Sequence, residues 1–360
     1  MDRRDFLKRS GAAAAVAGTG LGVSGLAHGK STIKWKMVTT WPKNFPGLGT
    51  GANNLAKLIT EMSGGRLKVK VYGAKELVPA FEVFDAVSRG TAEMGHASAY
   101  YWKGKVPEAQ FFSTMPFGMT ANEMNGWIYY GGGQELWDEV YEPFGVLGRP
   151  AGNTGVQMGG WFNKEINSLE DLKGLKMRIP GLGGEVLKRL GGTPVNLPGG
   201  ELFTALTSGT IDATEWVGPY NDLAFGLYKA AKYYYYPGFH EPGTILEALI
   251  NRKAFEKLPK DLQSIVLNAC RVVNMDMLAE YYARNPGALD QLVDKHKVQL
   301  RAYPDDVLRQ LRKVSAEVAE ELAGQNQAAK KIYESYQGFL DSARKFSRIS
   351  DLAYLKARDE

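Results

Sequence analysis

The sequence predicts an α/β protein with two sheet-containing lobes and a long helical extension at its C-terminus. Short apolar strands alternate with amphipathic helices in the first hundred or so residues, which is the pattern of an open parallel sheet. The same alternation restarts near residue 153, and beyond Lys253 the apolar residues recur with a helical period. We therefore assign residues 30–152 and 246–290 to a first lobe, 153–245 to a second lobe and 291–360 to the extension.

The first 29 residues read as an export signal and are excluded from the fold. Paired arginines, Arg3 and Arg4, are followed by an aromatic residue, a leucine and a further base, as in a twin-arginine signal. A glycine-rich apolar run then ends in the small-x-small sequence Ala27-His28-Gly29. That run is too short and too rich in glycine for a good transmembrane helix. We expect the mature chain to begin near Lys30 and to work in the periplasm.

Net charge, the single cysteine and the histidine spacing argue against a nucleic-acid-binding protein, a reactive thiol and a histidine metal site. The formal charge falls from +5 to +3 without the four bases and two acids of the signal, and no basic run suggests nucleic acid binding. Cys270 is the single cysteine, and its apolar helical surroundings predict a buried, inert thiol. The mature chain's histidines, His96, His240 and His296, are too scattered in sequence to predict a histidine metal site.

In the first lobe, apolar alternation predicts strands, and amphipathic runs between them predict helices. The expected order is strand Thr32–Thr40, helix Ala52–Met62, strand Leu67–Tyr72, helix Pro79–Arg89 and strand Ala92–Ser98. The short connections favour parallel strands in one sheet. The third strand leads directly into Tyr100 and Tyr101.

One glycine pattern in this lobe resembles a nucleotide fingerprint without meeting its requirements. Gly47-x-Gly49-x-x-Ala52 follows a strand, but Pro42 and Pro46 intervene where the fingerprint demands a tight turn. No acidic residue ends the second strand at the required distance. We expect no nucleotide site here.

The second lobe is organised around residues 175–216, where strand, helix, strand, helix and strand are expected in succession. In such layers, ligands bind beyond the carboxyl ends of the parallel strands. Arg178, Glu215 and Trp216 fall at such ends, so they predict a pocket for a small carboxylate. Further strands are expected over Tyr233–Tyr236 and Leu246–Asn251, the second returning to the first lobe.

The helical pattern after Lys253 leaves two arrangements open. Leu262–Tyr282 is periodic in apolar residues, a short extended run follows over Val298–Tyr303, and a long helical pattern starts at Pro304. Its length exceeds that of one ordinary globular helix. Such a tail either wraps its own body or packs against a second subunit.

Several runs in the second lobe resemble the solute-binding proteins of TRAP (tripartite ATP-independent periplasmic) transporters, DctP type. They are Leu169-Glu170-Asp171-Leu172-Lys173-Gly174-Leu175-Lys176-Met177-Arg178-Ile179-Pro180-Gly181, Leu190-Gly191-Gly192-Thr193-Pro194-Val195 and the stretch from Ala205 to Glu215. The resemblance covers essentially the whole mature chain and implies a two-lobed periplasmic-binding-protein fold with its ligand between the lobes. Thr214-Glu215-Trp216, Gln157 and the helical tail most resemble the branch that binds 2-oxo acids with a cation and dimerises through an exchanged C-terminal helix.

The resemblance implies a role for each residue at the predicted pocket. Arg178 would clamp the substrate carboxylate, which matches the planar fork of its guanidinium. Glu215 lies in a moderately apolar run and needs a positive partner. A hard cation held by Glu215, the amide oxygen of Gln157 and the backbone carbonyl of Trp216 would supply it. Glu241 is a second candidate cation ligand in the same branch.

The sequence leaves open which tyrosine lines the pocket, which cation binds and which acid is the ligand. Trp216 and Tyr100 would supply the wall and a phenolic donor, with Tyr101 as the alternative to Tyr100. Arg178 and a monovalent cation such as sodium would offset Glu215 and a monocarboxylate, whereas a further ionised ligand would favour calcium. A 2-oxo acid such as pyruvate suits the site, and a 2-hydroxy acid such as lactate suits it nearly as well.

Three functions compete at this stage. The first is a non-catalytic solute-binding subunit, a homodimer that delivers a small organic acid to TRAP permease subunits in the membrane. The second is an enzyme with a cofactor, exported by the twin-arginine route, although the sequence carries no cofactor motif or nucleophile–base pair. The third is a monomeric sugar- or amino-acid-binding protein of another transporter type, without cation dependence.

Overall fold

The computed structural model describes residues 32–359, and the predicted signal lies outside this range. Within it, eleven strands form two mixed sheets that are covered by helices. The strands are β1 (Ile33–Thr39), β2 (Leu67–Tyr72), β3 (Met94–Ala97), β4 (Val146–Asn153), β5 (Gly160–Phe162), β6 (Lys176–Arg178), β7 (Thr193–Val195), β8 (Ala213–Thr214), β9 (Tyr233–Tyr236), β10 (Ile245–Asn251) and β11 (Gln299–Ala302).

Among the described residues, no helix is long and apolar enough to cross a membrane. The helices are α1 (Leu48–Met62), α2 (Val83–Ser88), α3 (Gln110–Ser113), α4 (Ala121–Tyr130), α5 (Gly133–Tyr141), α6 (Gly181–Arg189), α7 (Leu202–Thr207), α8 (Pro219–Phe225), α9 (Arg252–Glu256), α10 (Lys260–Asp290), α11 (Asp305–Ala323), α12 (Gln327–Ile349) and α13 (Asp351–Asp359).

The first sheet has the strand order β2-β1-β3-β10-β4. Strands β2 and β3 flank β1 in parallel, as the alternating strands and helices predict. Strand β10 then returns from far along the chain and lies antiparallel between β3 and β4. The sheet is therefore mixed, because two of its strands do not belong to the first run of strand and helix.

The second sheet has the order β11-β9-β5-β8-β6-β7, and its parallel part is the predicted one. Strand β6 pairs in parallel with β7 on one side and with β8 on the other. The carboxyl ends of β6 and β8 therefore lie side by side at one edge of the sheet. Strand β5 is shorter than the expected run from Gly155 to Phe162 and lies antiparallel to β8 and β9.

Helix α10 packs against the first sheet, and its contact with the start of α1 explains the glycine at position 47. Gly47 has φ +69°, and a Cβ there would lie 2.5 Å from the Tyr281 hydroxyl oxygen of α10. The glycine therefore permits close packing between α1 and α10. Cys270 is buried on the inner face of α10, and burial raises the pKa of its thiol to about 12. Such a thiol is protonated and unreactive at neutral pH.

Most of the C-terminal extension packs against its own chain. Helix α11 lies on α6, and α12 lies on α4 and α5. The buried hydroxyl of Tyr336 in α12 accepts a hydrogen bond of 2.8 Å from the Met119 amide. In contrast, α13 has no buried residue. The structure thus selects self-packing for α11 and α12 and leaves α13 on the surface.

A buried carboxyl in the first sheet generates a prediction about stability and pH. Glu247 in β10 is fully buried, and its carboxyl oxygens lie 3.2 and 3.0 Å from the Tyr141 hydroxyl. Burial raises the pKa of Glu247 from 4.5 to about 8, although the hydrogen bond from Tyr141 opposes this shift. The folded protein therefore keeps a proton that the unfolded chain loses, so stability should fall as the pH rises from 4.5 to about 8.

We predict that Glu247→Gln flattens this dependence by up to about 1.4 kcal/mol per pH unit, since one coupled proton is removed. Urea unfolding across this pH range measures the slope. Glu142→Gln, at an exposed position, serves as the control and should leave the slope unchanged. Identical slopes for Glu247→Gln and the unmodified protein would contradict a proton held by Glu247.

Candidate functional site

Arg178 and Glu215 form a fully buried ion pair at the edge of the second sheet. Arg178 ends β6 and Glu215 directly follows β8, the strand that pairs with β6. The amide of Glu215 donates a hydrogen bond of 3.1 Å to the Arg178 carbonyl. The Nη1 group of Arg178 contacts Oε1 of Glu215, and the side chains are 1% and 0% exposed. The structure thus brings together the two residues that the strand order predicts to be neighbours.

The remaining contacts of Arg178 hold its guanidinium in place. Its Nε donates to the Leu197 carbonyl at 3.0 Å, and its Nη2 donates to the Tyr101 hydroxyl at 3.2 Å. The Trp216 ring centre lies 5.1 Å from Cζ. Burial by itself lowers the pKa of Arg178, but the Glu215 carboxylate more than offsets this, so the pKa is raised and the group stays charged. Because Nη2 carries two hydrogens, one remains for a ligand.

Tyr101, rather than Tyr100, contacts the arginine. Tyr100 is also buried, and its ring packs edge-on against Tyr101 with 4.8 Å between the ring centres. Gly181 at the start of α6 has φ +60°, and a Cβ there would lie 3.3 Å from Cβ of Tyr100. The glycine therefore lets Tyr100 approach α6. Burial raises the pKa of both tyrosines, so both hydroxyls remain protonated donors.

Gln157 and Glu241 form a second buried pair next to the first. Nε2 of Gln157 donates to Oε2 of Glu241 at 2.8 Å and to the Thr154 hydroxyl at 3.1 Å. The Thr244 hydroxyl donates to the same Glu241 oxygen at 2.7 Å. Burial, and then the nearby Glu215 charge, raise the pKa of Glu241 to about 7. These bonds fix the Gln157 amide so that its oxygen faces away from Glu241.

Two buried oxygens of this group have no hydrogen-bond partner among residues 32–359. They are Oε1 of Gln157 and Oε2 of Glu215. Buried acceptors are nearly always paired, so such oxygens call for a cation or a donor from outside the chain. Oxygen atoms from a carboxylate and an amide are the ligands that sodium and calcium prefer. The donor set therefore fits the predicted cation.

His240 belongs to the same group, although the sequence analysis did not place it there. Its Nε2 lies 3.5 Å from Oε2 of Glu215, and the ring is 1% exposed. Ligand atoms of Glu215, His240 and Glu241 all lie within 4.8 Å of one another. The spacing of the histidines did not predict this, but the position of His240 beside the candidate Glu241 was a usable signal. We call Arg178, Gln157, Glu215, His240 and Glu241 the Arg178 cluster.

Trp216 packs against three aromatic rings next to the Arg178 cluster, and we call this group the aromatic wall. Its ring centre lies 6.2 Å from that of Trp41, 6.3 Å from that of Phe45 and 5.3 Å from that of Phe225. Trp41 and Phe45 follow β1, whereas Trp216 follows β8. The wall thus joins segments that extend from both sheets.

Comparison with known proteins identifies relatives of the whole chain. A family model described as DctP, bacterial extracellular solute-binding protein family 7, matches residues 37–326. The monocarboxylate 2-oxoacid-binding periplasmic protein of Nostoc sp. is 44% identical over 358 residues, 98% of each chain.

Two solved structures are similar over nearly their full length. A TRAP periplasmic solute-binding protein from Pseudoalteromonas atlantica, with bound sodium and pyruvate, is 45% identical with a TM-score of 0.88, and the alignment covers 90% of this chain and 99% of that one. A TRAP solute-binding protein from Bordetella bronchiseptica is 38% identical with a TM-score of 0.89, covering 91% and 97%. It is a mixed-occupancy dimer with co-purified calcium and picolinate.

The buried ion pair generates a prediction about the ligand-free protein. We predict that Arg178→Met lowers the free energy of unfolding by about 3–5 kcal/mol, because it leaves the Glu215 charge buried without a partner. Adding Glu215→Gln should recover part of this loss. Denaturant unfolding of both single variants and the double variant measures the coupling.

Arg301→Met provides the matched control, because Arg301 pairs with Glu165 at 2.9 Å on the surface. An exposed pair contributes at most about 1 kcal/mol. Additive losses in the Arg178→Met, Glu215→Gln double variant would contradict a coupled buried pair.

Proposed function

Because this chain belongs to the DctP family of TRAP-transporter solute-binding proteins, bacterial extracellular solute-binding protein family 7, we propose that it captures a 2-oxo monocarboxylate such as pyruvate together with a cation. It would then deliver the acid to TRAP permease subunits in the membrane without transforming it. The observation that carries this proposal is a buried arginine beside two buried, unpartnered oxygens, Oε2 of Glu215 and Oε1 of Gln157.

Arg178 binds the carboxylate of the acid in this proposal. Its guanidinium is oriented by Leu197 and Tyr101 and keeps a hydrogen on Nη2 for a ligand oxygen. In a buried site, a charged donor binds a carboxylate more strongly than a neutral donor does. The aromatic wall at Trp216 excludes water from one side, and Tyr100 closes another side near the start of α6.

Oε2 of Glu215, Oε1 of Gln157 and the backbone carbonyl of Trp216 would hold the cation. When bound, a cation would offset the negative charge of the acid. Glu241 orients the Gln157 amide and is a second candidate ligand. Arg178 and a sodium ion balance Glu215 and a monocarboxylate, and an ionised Glu241 calls for calcium instead.

Relatives support this choice of ligand chemistry. Pyruvate accompanies sodium in the Pseudoalteromonas protein, and picolinate accompanies calcium in the Bordetella protein. Both acids carry a metal-binding atom on the carbon next to the carboxylate. A 2-hydroxy acid such as lactate shares this property and is the alternative ligand.

Capture is proposed to occur by closure of the two lobes assigned above. Ion pairs join residues assigned to different lobes: Lys75 with Glu201 at 2.8 Å, and Lys103 with Glu185 at 2.9 Å. Asn221 also donates to the Pro46 carbonyl at 3.0 Å. A ligand held from both sides would favour this closed arrangement by its difference in affinity between the open and closed states. The permease would recognise the closed form.

The proposal extends to the route of export and to the oligomer. The paired arginines of the signal support twin-arginine export to the periplasm, and cleavage would fall near Lys30. The end of α12 and helix α13 support a homodimer, because they expose five large apolar side chains: Phe346, Ile349, Leu352, Tyr354 and Leu355. Apolar patches of this kind mark interaction surfaces, and the Bordetella relative is a dimer.

We predict that pyruvate binds with one site per chain in sodium or calcium chloride and much more weakly in choline chloride. Isothermal titration calorimetry measures both the affinity and the stoichiometry. Glu215→Gln should remove most of the cation dependence, because it removes a charged ligand. Glu170→Gln, at an exposed position, is the matched control and should behave as the unmodified protein.

Two results would contradict the proposed function. One is a folded protein that binds no 2-oxo or 2-hydroxy acid in any of these salts. The other is consumption of the acid, which would indicate an enzyme. An unchanged salt profile in Glu215→Gln would count against the cation ligand alone.

We also predict that Ile349→Lys combined with Leu352→Lys converts a dimer into a monomer, since two charges would be buried at the contact. Light scattering after size-exclusion chromatography measures the mass. Tyr130→Lys, at an exposed apolar position outside the extension, should leave the dimer intact. A monomeric unmodified protein at micromolar concentration would contradict the homodimer.

A further inference from the structure

His240 is a buried histidine with no internal hydrogen bond. Its ring is 1% exposed, and neither ring nitrogen has a hydrogen-bond partner among residues 32–359. A neutral imidazole has one N–H donor and one acceptor nitrogen. Burying both without partners is unfavourable, so a ring left in this state requires an explanation from outside the chain.

The other deeply buried histidine shows what a purely structural role looks like. Nδ1 of His96 accepts a hydrogen bond of 2.8 Å from the Trp41 indole, and its Nε2 lies 2.9 Å from the Ala151 carbonyl. Both ring nitrogens of His96 are therefore satisfied within the chain. His240 is equally buried and lacks both contacts, so packing alone does not account for a histidine at this position.

The backbone holds His240 in this place. The Gly238 amide donates to the Gln157 carbonyl at 2.9 Å, and the Gln157 amide donates to the Glu241 carbonyl at 3.1 Å. On the helix side, Gly183 of α6 leaves room for the ring, since a Cβ there would lie 2.9 Å from Cβ of His240. The side chain is thus fixed next to the cation ligands.

The direction of the ring follows from its distance to Glu215. Nε2 lies 3.5 Å from Oε2 of Glu215, the oxygen that has no other partner. Nε2 therefore borders the space beside Oε2, where the proposed cation and the second oxygen of the acid would lie. A hydrogen on Nε2 would be available to that second oxygen.

A hydrogen-bond donor from His240 would complement the acceptor oxygens of the acid. Arg178 serves the carboxylate, whereas Gln157 and Glu215 offer only acceptor oxygens to the space beside it. A keto oxygen has two lone pairs, of which the cation would take one. We propose that Nε2–H of His240 donates a hydrogen bond to the oxygen on carbon 2 of the bound acid; this inference rests on the proposed function.

His240 is then a specificity residue that reads the second carbon. It favours acids that carry a keto or hydroxyl oxygen there, because both accept a hydrogen bond. It disfavours acids without an oxygen at that carbon, since the buried N–H would remain unpaired. An ammonium group at that carbon has no lone pair for His240 and would repel the cation, so 2-amino acids are also rejected.

The test compares pyruvate with propionate, which has the same carboxylate and chain length but no oxygen at carbon 2. Calorimetry in sodium chloride measures pyruvate, and competition against pyruvate measures propionate. We expect His240→Phe to weaken pyruvate binding about tenfold, the size of one lost hydrogen bond. Propionate should change less than about twofold. His240→Gln retains an N–H donor and should recover part of the selectivity.

His296→Phe is the matched control, because His296 stacks on Tyr228 with 3.9 Å between ring centres and lies outside the Arg178 cluster. It should keep the selectivity of the unmodified protein. Should His240→Phe fail to fold, His240→Met also lacks a donor, and its comparison with His240→Gln gives the same answer.

Two outcomes would overturn this inference alone. One is an unchanged ratio of pyruvate to propionate affinity in the variants without a donor. The other is an equal loss for both acids, which would indicate a structural role. An unmodified protein that binds neither acid would overturn the proposed function and this inference with it.

Discussion

The buried pair of Arg178 and Glu215 is the interaction on which the site depends. Both side chains lie out of contact with water, so the attraction between them offsets the cost of burying each charge. Their meeting follows from the sheet, because β6 and β8 are parallel neighbours and their carboxyl ends coincide. A buried pair of this kind adds little net stability compared with apolar residues. In the proposed function, the pair holds a guanidinium in place for the carboxylate of the acid and a carboxylate oxygen in place for the cation.

Around this pair, the protein leaves hydrogen-bonding capacity unused. Oε2 of Glu215, Oε1 of Gln157 and the ring nitrogens of His240 are buried without partners in the described chain. Two other buried groups show the contrast: His96 uses both ring nitrogens, and Asp222 accepts from Trp161 and Tyr234. Unpaired groups that gather at one place reduce stability in the free protein. They also supply the free energy with which an ion and an acid, each matched to one part of the set, would bind.

The groups of the candidate site come from distant parts of the chain, and the two sheets bring them together. Arg178 and Glu215 belong to the second sheet, Tyr101 follows β3 of the first sheet, and Glu241 lies in the segment that leads back to β10. Cross-contacts such as Lys75 with Glu201 are exposed ion pairs, which individually contribute little. In the proposed capture mechanism, the arrangement of the two parts would respond to a ligand that contacts both.

Local sequence patterns predicted the parallel strands of both sheets and placed Arg178 and Glu215 at carboxyl ends that share one edge, whereas the neighbour relation of β6 and β8 came from the structure. The predicted features follow from short-range rules: alternation of apolar residues, short connections and the common edge of parallel strands. Which tyrosine reaches Arg178 was decided only by the tertiary structure, since it depends on the turn between β3 and α3. The same holds for His240, because its neighbours Glu215 and Gln157 are far from it in sequence and meet it only when the segments pack. The path of α11 and α12 over their own body was likewise settled by packing, since an amphipathic helix carries the same pattern whether its partner is its own chain or another.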